Sequence, residues 1–336
     1  MSRLEQEIRQ QPEALARLLD DQRGRIGAVA RALAARGNGT VMVAARGSSD
    51  NAARYAQYLL GERLGLAAGL AAPSLESLHG AGAVPRGAGD LVLGISQSGR
   101  SPDVVAVLDA ARAAGTATVA ITNDGGSPLA RAAELVVELG VGVERSVAAT
   151  MTYTGSLAVL AALVAELRDD DADRAAVRQL PALVAAAVDG AFAAPSAGAV
   201  PAHVVVVGRG YNLATAVEIA LKIRELSGIV AEGFSSADLM HGPIAAVGPA
   251  TLAVVVAPPG VEQASVLDAA GAVRERGARV VVIGAGADLP LPPAVPEWLS
   301  PIVAVIPGQV LALRLAAAAG RDADAPAGLA KVTETY

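Results

Sequence analysis

The sequence predicts an α/β chain made of two tandem copies of one unit, each a parallel sheet with helices on both faces. Three observations carry this prediction. Short apolar runs at 40–44, 91–95, 116–122 and 135–139 alternate with helical patterns at a spacing of about thirty residues, the rhythm of strand–helix crossovers. A second series, at 203–207, 251–257, 279–284 and 302–306, repeats it. Finally, the strand–glycine–polar–helix pattern of 41–51 recurs at 203–212, so a single supersecondary unit occurs twice.

Composition narrows the function. Apolar residues make up 53% of the chain but aromatics only 2%, so the cores must be packed from small side chains. The net charge of −6, with no basic patch, argues against nucleic-acid and anionic-membrane partners. Absence of cysteine excludes disulfides, thiolate metal sites and cysteine nucleophiles. His79, His203 and His241 lack paired spacing, and no metal site is expected. The first residues are charged rather than apolar, and the apolar tract 180–207 is interrupted by Pro181, Asp189, Pro195 and Pro201, so the expectation is a soluble, cytoplasmic protein.

In chain order, 3–36 reads as two helices hinged at Pro12. The first strand ends at Arg46-Gly47-Ser48-Ser49-Asp50, and a helix is expected over 52–64. Hydroxyls and backbone N–H groups at a helix start suit a phosphate, while Ser49 or Asp50 serves equally as a plain N-cap. The second strand ends in Ser96-Gln97-Ser98-Gly99-Arg100-Ser101. Capping needs one side chain, not three hydroxyls and an amide, so here an oxyanion site is the better reading. In open parallel sheets ligands bind at the carboxyl ends of the strands, where both loops fall. A helix is expected over 144–167 and another over 175–191, with a linker at 194–198. His203, at a strand start, reads as structural. Gly208-Arg209-Gly210 lacks the third glycine of a dinucleotide fingerprint, since position 213 is Leu, so a nicotinamide is not expected, and nothing else in the sequence implies a cofactor.

The segment 218–243 holds the titratable groups. At 100° per residue Glu218, Lys222 and Glu225 share one helical face, and His241 follows in a turn fixed by Gly242 and Pro243. Two carboxylates, an ammonium and an imidazole are the parts needed to move a proton next to a carbonyl. The same spacing also describes a solvated face with (i, i+4) Glu–Lys support.

Taken together, Gly47-Ser48-Ser49, Ser96-Gln97-Ser98-Gly99, Lys222-x-x-Glu225, His241-Gly242-Pro243 and Leu329-Ala330-Lys331 resemble the sugar isomerase (SIS) domain family over essentially the whole chain. The likeness is strongest to the isomerase half of glucosamine-6-phosphate synthase and to stand-alone amino-sugar phosphate deaminases. It implies two flavodoxin-like domains: N-terminal helices at 1–36, a first SIS domain at 37–174, a helix and linker at 175–200, a second SIS domain at 201–320, and a substrate-covering tail at 321–336. It implies that Ser48, Ser49, Ser96, Gln97, Ser98 and Ser101 hold a sugar phosphate, and that Gly47, Glu144, Val147 and Ala148 line the pocket. Glu225 is then the base between C1 and C2, with Lys222 beside it. His241 assists ring opening and, in a homodimer, serves the neighbouring subunit's site, while Lys331 covers the substrate.

The chain departs from that pattern in three ways. It has no cysteine, so the synthases' cysteine-nucleophile glutaminase is not expected. Met151 stands where relatives commonly carry lysine, and Arg100 where they carry an acid. The implied reaction is deamination and isomerisation of an amino-sugar phosphate through an enediol or enolamine. Two alternatives stay open: elimination of the C3 substituent of an N-acylated amino-sugar 6-phosphate, and a non-catalytic sugar-phosphate-binding regulator.

Overall fold

A computed structural model of the chain describes residues 1–195 and 198–331. Linker residues Ser196 and Ala197 and tail residues 332–336 lie outside it. The described chain divides into two compact units: Glu13–Glu144 with Met151–Gln179, and Met1–Pro12 with Arg145–Thr150 and Leu180–Lys331.

The chain opens with α1 (Arg3–Asp21) and α2 (Arg23–Ala34), followed by β1 (Val41–Ala44), α3 (Ser48–Leu64), β2 (Ala68–Leu70) and α4 (Ser74–Ser77). Next come β3 (Leu91–Ile95), α5 (Pro102–Ala113), β4 (Ala117–Thr122), α6 (Pro128–Ala132), β5 (Leu135–Glu138), α7 (Met151–Leu167) and α8 (Asp171–Ala193). The second series is β6 (His203–Gly208), α9 (Tyr211–Ser227), β7 (Val230–Ser235), α10 (Ser236–Met240), β8 (Thr251–Val256), α11 (Gln263–Glu275), β9 (Arg279–Gly284), β10 (Leu289–Pro290) and α12 (Ser300–Ala318).

Each unit contains one five-stranded sheet, and every strand pair is parallel. The orders, β2-β1-β3-β4-β5 and β7-β6-β8-β9-β10, are the same order in the two repeats. It is the flavodoxin-like order, in which the direction of winding reverses beside the first strand and opens a crevice there. The central strands β4 and β8 are buried at every position, as parallel strands covered on both faces must be. Val104, Val107, Leu108 and Leu129 pack on Val92 and Ala120 in the first core; Val266, Ala270 and Val273 pack on Ala253 and Val255 in the second. Each fully buried Val or Leu contributes roughly 1.5–3 kcal/mol.

Several boundaries differ from those the sequence predicts, each for a physical reason. Pro12 is not a hinge, because α1 runs through it. A proline leaves the carbonyl four residues back without its donor, and here the Gln11 side chain donates to Ile8 O at 3.2 Å instead. The helix predicted over 52–64 begins four residues earlier, with Gly47 as its N-cap, so neither Ser49 nor Asp50 caps it. The helix predicted from Glu144 starts only at Met151. Glu144, 4% exposed, accepts hydrogen bonds from the Thr152 N–H at 3.1 Å and hydroxyl at 2.6 Å, holding the helix start from outside. The predicted strand at 302–306 is the interior of α12. His203 is structural as expected, its Nε2 lying 2.9 Å from Thr251 Oγ1.

By length and composition Asp171–Ala193 and Glu297–Ala318 are apolar enough to cross a membrane, but 78% of the latter's most apolar window is buried in the protein. It covers α9, which is pinned from two sides. A Cβ on Gly308 of α12 would fall 2.2 Å from Ile219, and one on Gly233 of β7 would fall 2.6 Å from the Val217 Cα. Only glycine permits either approach.

Candidate functional site

In the first repeat the residues predicted to bind phosphate gather at the crevice. Strands β1 and β3 are neighbours, and their carboxyl ends carry Arg46–Ser49 and Ser96–Ser101. Gly47 turns the chain at φ 57°, ψ −132° into α3, placing Ser48 and Ser49 in its first turn. Backbone N–H groups and the positive end of a 17-residue helix therefore converge there. The second loop is folded by its own hydroxyls: the Gly99 N–H donates to Ser96 Oγ at 3.1 Å and the Arg100 N–H to Ser98 Oγ at 3.3 Å. Gln97 O accepts from Asn123 N at 3.1 Å, tying the loop to the end of β4. Ser101 sits at the N-cap of α5 without using its hydroxyl as the cap. Ser96 is buried and helps shape the loop, whereas Ser48, Ser49, Gln97, Ser98 and Ser101 are half-buried.

One pair not read from the sequence links the loops. Arg46 Nε and Nη2 lie 2.7 and 2.6 Å from Asp103 Oδ2, and Asp103 is fully buried. Asp103 closes the Ser-rich loop, but nothing in its spacing reveals a partner 57 residues away.

In the second unit the three-residue face of α9 is largely buried, which overturns the solvated-face alternative. Side-chain exposure is 0% for Glu218, 2% for Lys222 and 22% for Glu225. Lys222 Nζ lies 3.5 Å from Glu218 Oε1 and is hydrogen-bonded to Glu225 Oε2. A buried ammonium is tolerated only when paired, and here two carboxylates flank it. Glu225 is the member that reaches open space, lining a cavity of about 610 Å³ with Leu221, Arg224, Arg321, Asp322 and Leu329. Leu329 lies two residues before the half-buried Lys331.

Val147 and the buried Ala148 belong to the same unit, in a segment whose Arg145 N–H donates to Glu7 Oε1 at 2.6 Å. Met151 is buried at the start of α7, and Arg100 is exposed. His241 ends α10 as its C-cap and is exposed, with Nδ1 2.8 Å from Ala237 O. Among the described residues no group of three or more His, Asp or Glu side chains is placed to hold a metal.

The second repeat keeps the same turn but fills it. Gly210 has φ 55° and ψ −128°, close to Gly47. A Cβ at Gly47 would meet nothing within 4 Å, whereas one at Gly210 would fall 2.1 Å from Glu262 Oε2. Burial raises the pKa of Glu262 above the usual carboxylate value; Arg209 opposes that rise and Glu297 adds to it. The folded state then binds the Glu262 proton more tightly than the unfolded chain. Its contribution to stability is greatest below the unfolded pKa and is lost as pH rises through the folded one. Denaturant unfolding in mildly acidic and neutral buffer should show Glu262→Gln losing part of that decline; an unchanged pH dependence would refute the assignment.

Comparisons with known proteins bear on the fold and the family. The SIS domain model matches 36–166 and 199–316. A glutamine–fructose-6-phosphate aminotransferase (isomerizing) of Gloeobacter violaceus is 36% identical over 270 residues, covering 74% of this chain and 44% of the relative. The chain thus spans less than half of that curated relative's length. A crystal structure from Silicibacter pomeroyi DSS-3, described as a candidate phosphosugar isomerase, is 32% identical with TM-score 0.83, covering 96% of this chain and 100% of that one. Thermotoga maritima glucosamine-6-phosphate deaminase shares the fold, with TM-score 0.84 and 21% identity over 99% of this chain and 100% of that one. Two matched segments, each built on its own five-stranded parallel sheet, make this chain a member of the SIS domain family.

Proposed function

We propose that the chain is an amino-sugar phosphate deaminase/isomerase, converting a substrate of the glucosamine 6-phosphate type to fructose 6-phosphate and ammonia. The observation that carries this reading is the graded burial of α9: a sealed Glu218–Lys222 pair beside a Glu225 that opens onto a cavity. A purely structural ion pair has no need of a third, accessible carboxylate. Support also comes from the serine loops at the crevice and from the Gloeobacter relative, whose name specifies fructose 6-phosphate and isomerisation.

In this reading the serine loops anchor the dianionic phosphate and fix the open-chain sugar, making proton transfer effectively unimolecular. Glu225 takes the proton from C2, the C–H electron pair forms the C1–C2 double bond, and the C1 carbonyl π pair moves onto O1, which takes a proton from solvent to give the enolamine. The same carboxylic acid returns the proton to C1, leaving an imine at C2. Water adds to that carbon and ammonia departs, giving the 2-ketose. Lys222 balances charge beside Glu225, His241 assists ring opening, and Lys331 covers the bound sugar.

Product analysis tests the proposal. Incubation with glucosamine 6-phosphate should release ammonia and fructose 6-phosphate in equal amounts. An ultraviolet-absorbing unsaturated product from the N-acetyl sugar phosphate would instead establish elimination. Neither product, together with thermal stabilisation by the sugar phosphate, would establish a regulator.

A further inference from the structure

We propose that Arg46 is the cationic contact of the phosphate site and that the buried Asp103 is the residue that positions it. The inference rests on the phosphate-anchoring reading of the serine loops. Asp103 has 0% side-chain exposure, yet Arg46 remains 48% exposed. Both Nε and Nη2 of Arg46 are directed at Oδ2, while Oδ1 accepts the Val104 N–H at 2.9 Å. The carboxylate therefore holds one edge of the guanidinium, and nearly half of the side chain stays in contact with solvent.

Three physical points favour a binding role over a merely structural one. First, a dianion met only by hydroxyls and backbone N–H groups has no counter-charge beside it, and a guanidinium supplies that charge together with a planar fork that matches phosphate bidentately. Second, Arg46 immediately precedes the Gly47 turn and pairs with the second residue of α5, so it lies at the crevice itself. Third, an unpaired buried carboxylate is strongly unfavourable, so Asp103 keeps Arg46 from adopting other rotamers before a ligand arrives. Arg100, the other arginine on these loops, has no such anchor. It is 59% exposed and lies 3.6 Å from Asp124, itself 45% exposed, a surface pair that orients little.

Calorimetric titration with inorganic phosphate, run alongside steady-state kinetics on glucosamine 6-phosphate, separates binding from chemistry. Arg46→Gln should weaken phosphate binding and raise KM in parallel, each by about 10- to 100-fold, with kcat within about threefold of the parent protein. Arg46→Lys should recover part of the phosphate affinity. Phosphate affinity and KM both within about twofold of the parent in folded Arg46→Gln, or a fall in kcat with KM unmoved, would overturn the inference. If Arg46→Gln fails to fold, the double variant Arg46→Met/Asp103→Ser removes the buried charge together with its partner. The double variant should show the same loss of phosphate affinity, and unaltered affinity there is equally fatal. A parent protein with no phosphate affinity would remove the anchoring reading and this inference with it. Binding by the parent and by Arg46→Gln alike removes the inference alone.

Discussion

Replacing Glu225 by Gln is expected to lower kcat by about 10²- to 10⁴-fold, the range a positioned general base supplies, while sugar-phosphate affinity stays within a few-fold of the parent protein. The substitution keeps size and shape but removes the ability to take a proton from carbon. Lys222 retains Glu218 as a partner at 3.5 Å, so its charge is not stranded by the change. The groups assigned to phosphate recognition lie elsewhere in the chain, in the turn after β1, the first turn of α3 and the loop after β3. Single-turnover measurements of ammonia release, paired with phosphate calorimetry, check both halves of the expectation. Turnover retained within about tenfold would remove Glu225 as the base, leaving the α9 ion pairs a structural feature.

The second large effect concerns stability. Lys222→Met should destabilise the protein by about 3–5 kcal/mol, because Glu218 would lose its ammonium partner while remaining fully buried. Adding Glu218→Gln removes the buried negative charge, and the double variant should recover most of the loss. A denaturant series on the parent, the two single variants and the double variant measures the coupling directly. Equal destabilisation in the single Lys222→Met and the double variant would mean that the lost aliphatic stem, not the charge, is responsible.

What the sequence disclosed and what it hid have the same physical origin. Strands β1, β3, β4, β8 and β9 were legible because central parallel strands read as unbroken apolar runs ending at glycine or polar loops. Residues 302–306 are an equally unbroken run, yet they form helix. A helix buried all round loses its period, and the cue lay in Pro301 at the first turn and the length of the run on either side. Strand β7 was missed because Glu232 and Gly233 interrupt its apolar run, and Gly233 is there for the close approach of α9. Helical periodicity correctly put Glu218, Lys222 and Glu225 on one face. Whether that face met solvent or core depended on the elements packed around α9, α12 among them, and no local spacing could report it. The Arg46–Asp103 pair was invisible for the same reason, since each residue alone reads as an ordinary loop charge.

The two glycines that flank α9 bear on how the proposed base is held. With Ile219 against the bare backbone of Gly308, and Val217 against that of Gly233, this helix cannot slide toward either neighbour by even a methyl's width. In the proposed reading, Glu225 is then carried on a backbone that its two neighbours hold in place.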